Sequence, residues 1–115
     1  MTHLDCVRAL GCIICHRMGR NYVPAEIHHC RFPVGMGQRA PDEYAIPLAP
    51  AIHRLGAMTP EWPWQDDVPI HAGQRRFRAR YGVWEQELLK DVCDQLGFGY
   101  PLALRHWLAN ERYGG

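Results

Sequence analysis

The chain has 115 residues, a length that suits one domain with one modest hydrophobic core. Its 47% apolar residues and four tryptophans favour a folded chain over a disordered one. The formal net charge is only +1 at pH 7, so overall charge gives no indication of nucleic-acid binding. No run approaches the ~18 apolar residues that a membrane span needs, and the first residues lack an apolar signal region. We therefore expect a cytoplasmic protein with no membrane partner.

The first part of the chain predicts a helix, a cysteine turn and an extended segment, in that order. Residues 3–10 form the predicted helix, and Gly11 ends it. Residues 12–15 predict a tight turn, which continues into a polar turn over residues 16–21. Residues 26–31 predict a short extended segment.

The middle of the chain is richer in turn-forming residues. Residues 32–42 combine glycine and proline and predict an irregular loop. A second extended piece over residues 44–46 leads to Pro47. Because proline suits the first position of a helix, Pro47 is predicted to begin a helix of about two turns that ends near Gly56. Residues 57–72 contain three prolines and two tryptophans and predict an ordered, irregular excursion.

The last part of the chain has helical spacing. Phe77 and Tyr81 mark a short helix that stops at Gly82. Apolar residues recur over residues 83–96 with a period close to 3.6, which predicts a longer helix. Residues 102–111 predict a last helix. Strand content is therefore low, and we see neither an internal repeat nor a clear second domain.

Histidines mark the candidate site. His28 and His29 are adjacent on the extended segment, and neighbouring side chains of a strand point to opposite faces. Such a pair can divide two tasks, since one imidazole can hold a metal ion while the other takes a proton. His53 lies in the next predicted helix and would add a ligand, and His71 is either a third ligand or a local cap. This pattern favours a hydrolase that activates water against a phosphodiester, although isolated histidines often carry no chemistry.

Cysteines give a weaker indication of a second metal site. In a reducing compartment the five cysteines are thiols or metal ligands rather than disulfides. Cys12-x2-Cys15 is half of a zinc site, and a structural zinc needs two more ligands. Cys30 and His16 are the nearest candidates in sequence and complete no familiar pattern. Two buried thiols that stiffen a turn are the alternative.

Basic residues cluster in one short segment. Interleaved with Phe77 and Tyr81, the four arginines of this segment are Arg75, Arg76, Arg78 and Arg80. Such a cluster can neutralise phosphates although the whole chain is nearly neutral. A solvated arginine-rich helix is the alternative. Asp66 and Asp67 could ligate a hard metal, but the loop context favours solvated carboxylates.

The ordered set of motifs resembles a known family. In chain order the motifs are Cys12-x2-Cys15, Ile27-His28-His29, Val34-Gly35-Met36-Gly37, Asp42 to Leu48, His53-Arg54, His71-Ala72-Gly73 and Phe77-x3-Tyr81-Gly82. They cover about residues 10–90. This order is similar to that of phage and prophage nucleases of the Ref (recombination enhancement function) type, which belong to the HNH, or His-Me finger, endonucleases.

The resemblance implies an α+β fold with a small ββα-metal core, flanking short helices and low strand content. It implies one nuclease domain over residues 1–115, with a motif core of about 10–82 and C-terminal helices over about 83–112. His28 and His53 would bind a divalent ion (Zn²⁺, Mg²⁺ or Mn²⁺), with His71 as a third ligand and His29 as general base. Beside these histidines, Arg54 would grip the phosphate.

One motif departs from the family pattern. Relatives commonly read Pro-Leu-Cys-x2-His-His where this chain has Pro47 to His53. Ala49 and Ile52 replace two zinc ligands and cannot bind a metal. We therefore expect that the structural zinc is lost and that Cys12 and Cys15 are remnants of its site.

The function implied is hydrolysis of DNA phosphodiester bonds with low sequence specificity, in phage or prophage recombination. DNA is the implied partner, with a recombinase filament as a possible second one, and nothing predicts the oligomeric state. The alternative is a catalytically decayed DNA- or protein-binding module with a structural metal. Such a metal would be held by Cys12, Cys15, His28 and His53.

Overall fold

A computed structural model describes residues 1–34 and 38–114, with side chains described up to residue 110. Gly35, Met36 and Gly37 of the glycine-rich motif lie outside the described residues. The described helices and strands are, in chain order, α1 (His3–Ala9), α2 (Ile13–Arg17), β1 (Glu26–His29), a 3₁₀ turn (Asp42–Tyr44), β2 (Ala45–Leu48), a π-helix (Ala51–Leu55), a 3₁₀ turn (Ile70–Ala72), α3 (Gln74–Tyr81), α4 (Glu85–Leu96) and α5 (Leu102–Gly114).

The two strands form an antiparallel hairpin at the centre of the fold. Glu26 lies opposite Leu48, and His28 lies opposite Ile46. Opposed residues of an antiparallel pair point to the same face, so Glu26 and His28 share one face. Every residue of β2 is buried, which means that neighbouring elements cover both faces of this strand. The predicted α+β class with low strand content is confirmed.

The hydrophobic core lies between the hairpin and the helices. β2 packs against α1, α2 and α4, and α5 packs on α4. The largest fully buried side chains come from all of these elements and include Val7, Ile13, Ile14, Ile46, Leu48, Leu88, Leu89, Val92 and Leu104. The helices pack mainly on β2, whereas β1 carries the histidine pair of the candidate site.

The segment after β2 differs from its prediction. Pro47 pairs with Ile27 inside β2 instead of beginning a helix. A two-stranded sheet has only edge strands, where proline is tolerated because its nitrogen need not donate. The helix begins only after Pro50 and is a single π-turn, in which Gly56 N–H donates to the Ala51 carbonyl at 2.8 Å. Gly56 ends it with a φ of 71°, which a residue with a side chain rarely adopts.

The cysteine turn also differs from its prediction, since residues 13–17 form a short helix. Cys12 is its N-terminal cap, and the Cys15 backbone N–H donates to the Cys12 Sγ at 3.4 Å. The Cys12 sulfur thus accepts a hydrogen bond from an amide of the first helical turn, which has no partner within the helix. His16, predicted in a turn, therefore lies on α2.

The irregular segment between the π-helix and α3 is fixed by a buried carboxylate. Asp67 accepts two hydrogen bonds from Arg20, at 2.8 and 3.1 Å, and one from Trp62 Nε1 at 3.0 Å. Tyr81 OH donates to the same carboxylate at 2.9 Å. The expectation of a solvated Asp67 is wrong, because its side chain is fully buried among these donors. Asp66 alone is exposed as expected.

The C-terminal helices follow the apolar period of the sequence closely. α3, α4 and α5 begin within two residues of their predicted positions, and Gly82 and Gly97 end α3 and α4 in the left-handed conformation. Among the described residues, no helix has the length and apolar character that crossing a membrane requires.

Replacing Asp67 tests the buried network. We expect Asp67→Ala to lower the free energy of unfolding by about 3–5 kcal/mol, because it leaves the buried Arg20 guanidinium without its partner. Urea unfolding would measure the loss. The matched control, Asp66→Ala, removes an exposed carboxylate and should stay within about 0.5 kcal/mol of the parent protein. Equal, small effects of both substitutions would contradict the role given to Asp67.

Candidate metal centre

Three histidines from three different elements meet at one place. Each of the three rings, His28, His53 and His71, offers one nitrogen atom. These three nitrogen atoms lie within 4.8 Å of one another. The ring centroids of His53 and His71 are 4.4 Å apart, and that of His28 lies 5.1 Å from His53 and 5.7 Å from His71. In the described residues these are the only three histidine, cysteine or acidic side chains placed closely enough to share a metal ion.

His28 is the buried member of the group. It lies on β1 with 3% of its surface exposed, and its Nε2 is 2.6 Å from Glu85 Oε2. Glu85 is the first residue of α4 and is itself 2% exposed. The other Glu85 oxygen accepts the Arg31 backbone N–H at 2.9 Å. This carboxylate therefore fixes the imidazole and leaves Nδ1 of His28 for another partner.

His53 is presented by the π-helix. Single π-turns are rare and occur frequently at functional sites, because they change the direction in which a side chain points. The Nδ1 atom of His53 lies 2.7 Å from Glu26 Oε1, which leaves Nε2 as its second nitrogen. Glu26 shares its face of β1 with His28, so one strand supplies both a histidine of the group and the carboxylate that orients another.

His71 is the exposed member. It lies on the 3₁₀ turn that precedes α3, between the buried Ile70 and Gly73. Partial burial lowers the pKa of His71, and the neighbouring His53 and His28 lower it further. The turn position brings its ring to the other two imidazoles, as a ligand requires, rather than to the end of α3 as a cap would.

Electrostatics lower the pKa of two of the three rings, His53 and His71. Burial lowers the pKa of His53, although the hydrogen bond to Glu26 acts in the opposite direction. Burial acts to raise the pKa of Glu85, but its hydrogen bonds and its attraction to His28 together outweigh burial and lower the value. The pKa of Glu26 is also lowered, first by its hydrogen bond with Arg54 and then by His53. A lowered pKa favours the neutral rings of His53 and His71, which is the form that binds a metal ion.

One of the two predicted catalytic residues, Arg54, lies at the edge of this group. Arg54 follows His53 directly, and its guanidinium donates to both oxygens of Glu26, at 2.7 and 3.2 Å. About half of the Arg54 side chain is exposed, so its guanidinium is also accessible to an anion from solution. One carboxylate thus orients both His53 and Arg54.

His29 is not brought into the group of three rings. It points to the opposite face of β1 from His28, where its Nε2 lies 2.9 Å from Asp42 Oδ1. The hydrogen bond from His29 holds the pKa of Asp42 below its usual range. Arg39 Nη2 lies 3.2 Å from the same ring nitrogen and 3.8 Å from Asp42 Oδ1. An ionised carboxylate only accepts and a guanidinium only donates, so Nε2 can pair with Asp42 or with Arg39 but not with both. The shorter contact, to Asp42, places the proton on Nε2 and leaves Nδ1 as the acceptor.

Cys12 and Cys15 lie apart from the three histidines of the candidate metal centre. Cys12 and Cys15 are buried, and within the described residues no third ligand joins them. Arg20 donates to the Cys15 Sγ at 3.4 Å, and the Cys15 backbone N–H donates to the Cys12 Sγ. The two thiols are therefore a buried pair within the hydrophobic core.

The four arginines divide between two sides of α3. Arg78 stacks on Trp84, with 3.7 Å between the guanidinium carbon and the ring centroid, and Arg75 lines the same surface. Arg80 instead donates to the Asp66 carbonyl at 2.9 Å and lies 3.6 Å from Asp67. Arg76 is exposed. Arg75 and Arg78 therefore share one surface, whereas Arg80 belongs to the buried network.

Sequence reasoning missed the two carboxylates of the site. Glu26 was detectable, because residues two apart on a strand share a face and Glu26 precedes His28 by two. Glu85 carried no such signal, since 57 residues separate it from His28. Only the tertiary fold brings these two side chains together.

Comparison with known proteins agrees with the resemblance drawn from the motifs. No curated protein and no solved structure matches the chain. A family model described as "Recombination enhancement, RecA-dependent nuclease" matches residues 2–97, which is most of the chain. The description implies phosphodiester hydrolysis, with DNA and RecA involved. The chain therefore belongs to the family of RecA-dependent nucleases of recombination enhancement.

Proposed function

We propose that this protein is an HNH-type, metal-dependent DNA endonuclease, and that His28, His53 and His71 hold its divalent ion. The observation that carries the proposal is the meeting of three imidazole nitrogens within 4.8 Å, two of them on rings fixed by carboxylates. Metal-binding histidines almost always donate their other ring N–H to such a partner. Two of the three rings are therefore oriented by carboxylates in the way that metal ligands are.

The donor set fits a transition metal better than Mg²⁺. Imidazole nitrogens suit Zn²⁺ and other transition ions, whereas Mg²⁺ prefers oxygen ligands. Three protein ligands also leave positions for water and a phosphate oxygen, as catalytic zinc sites do. We therefore favour Zn²⁺ or Mn²⁺ over Mg²⁺ on the three histidines. When bound, the ion supplies positive charge that stabilises the phosphodiester transition state and its leaving oxygen.

His29 is proposed as the general base. Its Nε2–H donates to Asp42, which fixes the ring and leaves Nδ1 as acceptor for the proton of the attacking water. His29 is the last residue of β1, and its Cα is one peptide unit from that of His28. A phosphodiester at the end of the strand can therefore contact both residues, although their side chains leave opposite faces.

Arginines would hold the substrate. Arg54, oriented by Glu26, lies beside His53 and is positioned to contact the scissile phosphate. Arg75 and Arg78 present charge on α3 and are proposed to contact the flanking backbone. Contacts to phosphates carry no sequence information, which supports low sequence specificity. Action at DNA coated by a RecA filament follows from the family and is the proposed cellular setting.

Metal binding is the first test. We expect the parent protein to bind one Zn²⁺ or Mn²⁺ per chain in calorimetric titration, and His53→Ala or His71→Ala to abolish this binding because each removes a ligand. His16→Ala, which removes an exposed histidine of α2, is the matched control and should bind as the parent does. Binding that survives loss of His53 and His71 would contradict the proposed centre.

The carboxylates are tested separately from the ligands. We expect Glu26→Gln to weaken metal affinity about 10- to 100-fold. The ring of His53 loses its charged partner in this variant, but its Nε2 is still present to bind the metal ion. Competition with a chromophoric chelator would measure the affinity. Glu43→Gln alters an exposed acid near the hairpin and should leave the affinity unchanged. Equal affinities for both variants would argue against the orienting role of Glu26.

The base is tested by cleavage. We expect His29→Ala to abolish nicking of DNA while retaining metal binding, since His29 is not a ligand. Cleavage of supercoiled and single-stranded DNA with Zn²⁺, Mn²⁺ or Mg²⁺, with and without a RecA filament, would measure it. Unchanged cleavage would show the base assignment to be wrong. Metal binding without cleavage by the parent protein under every condition would instead favour a decayed binding module.

A further inference from the structure

A groove lies beside Trp84, and the proposed function uses only two of its residues, Arg75 and Arg78. Two adjoining cavities, of about 580 and 250 Å³, share Gln74 and Trp84 in their walls. The larger continues along α3 past Arg75 and Arg78, and the smaller continues past Arg31 and Phe32. Sites for small organic groups typically have volumes of roughly 300–1,000 Å³, so the groove is large enough for a nucleotide.

Trp84 offers a fixed aromatic surface in this groove. It is 37% exposed, and it stands directly before α4, where its backbone N–H donates to Glu87 Oε2 at 2.9 Å. Arg78 stacks on the indole at 3.7 Å, which restrains the ring and places a positive charge beside it. A large, partly exposed aromatic ring held in one orientation is a surface on which a flat ring can stack.

The charge of the groove selects an anionic ligand. Arg31, Arg75 and Arg78 are all exposed there. Glu85 is the one acidic residue in the walls, and it is buried and engaged by His28 and by the Arg31 backbone N–H. Exposed positive charge next to an aromatic face is the combination that binds single-stranded nucleic acid, where phosphates meet arginines and unpaired bases stack.

The groove is connected directly to the histidine group. Arg31 and Glu85 both line it, the Arg31 backbone N–H donates to Glu85, and Glu85 holds His28. A strand that follows the groove therefore passes the carboxylate that orients a proposed metal ligand.

We propose that Trp84 is a stacking platform for an unpaired base of single-stranded DNA, with Arg31 and Arg75 contacting the flanking phosphates. This inference rests on the proposed nuclease function and deepens it, because it specifies that the strand is unpaired next to the site of cleavage. A base in a duplex is already stacked on its neighbours and cannot cover the indole. The platform thus selects single-stranded over double-stranded DNA.

Strand binding tests the platform independently of cleavage. Fluorescence anisotropy in the presence of a chelator would compare a labelled oligothymidine with an abasic strand of equal length, which keeps the phosphates and lacks the bases. We expect the parent protein to bind oligothymidine more tightly. Trp84→Ala should weaken that binding about 10-fold, down to the abasic level, and leave abasic binding unchanged. Trp84→Phe, which keeps an aromatic face, should retain most of the preference.

Controls separate the platform from folding and from charge. Tyr22→Ala removes another exposed aromatic residue, outside the groove, and should bind as the parent does. Arg75→Ala should weaken both strands equally. Equal binding of oligothymidine and abasic strand by the parent protein, or parent-like binding by Trp84→Ala, would overturn the proposal.

Metal titration distinguishes failure of the Trp84 proposal from failure of the proposed nuclease function. Trp84→Ala should bind Zn²⁺ or Mn²⁺ as the parent does, because Trp84 is not a ligand. A base preference that depends on Trp84 in a protein that binds no metal would support the platform and contradict the metal centre. Metal-dependent cleavage with no effect of Trp84→Ala on oligothymidine binding would contradict the platform alone.

Discussion

The buried hydrogen bond between His28 and Glu85 is the interaction on which the candidate site depends. Both side chains are almost fully buried, so each must find a polar partner there, and at 2.6 Å each is the other's partner. Glu85 also accepts the Arg31 backbone N–H. A single carboxylate therefore joins the hairpin to α4. The orientation of His28 is set by this tertiary contact and not by its strand alone.

The alternating side chains of β1 place two sets of polar contacts on opposite faces of this four-residue strand. Glu26 and His28 share the face that meets His53 and His71, whereas His29 meets Asp42 on the other face. Each histidine of the strand thus has its own carboxylate, placed by a different element. Such separation gives the two adjacent imidazoles different surroundings, which is what the proposed division into ligand and base requires. A one-residue shift of the register would exchange the two faces.

The sequence predicted what depends on short-range spacing. The adjacent pair His28-His29 marked the extended segment, and the motif order led to the right family and to a hairpin followed by a helix that carries His53, which the structure shows as a single π-turn. What depends on long-range contacts was out of reach, as Glu85 and the buried Asp67 show. The π-turn at His53 was missed because Pro47 reads equally well as a helix start and as an edge-strand residue. The roles assigned to the histidines remain predictions.

Cys12 and Cys15 belong to the hydrophobic core of this fold. They are buried together with Ala49 and Ile52, two apolar residues that cannot bind a metal ion. The Ala49 carbonyl accepts the N–H of His53 at 2.8 Å, so the turn that carries His53 is fixed at a core residue. Apolar burial of this segment therefore sets the position from which His53 reaches the other two rings.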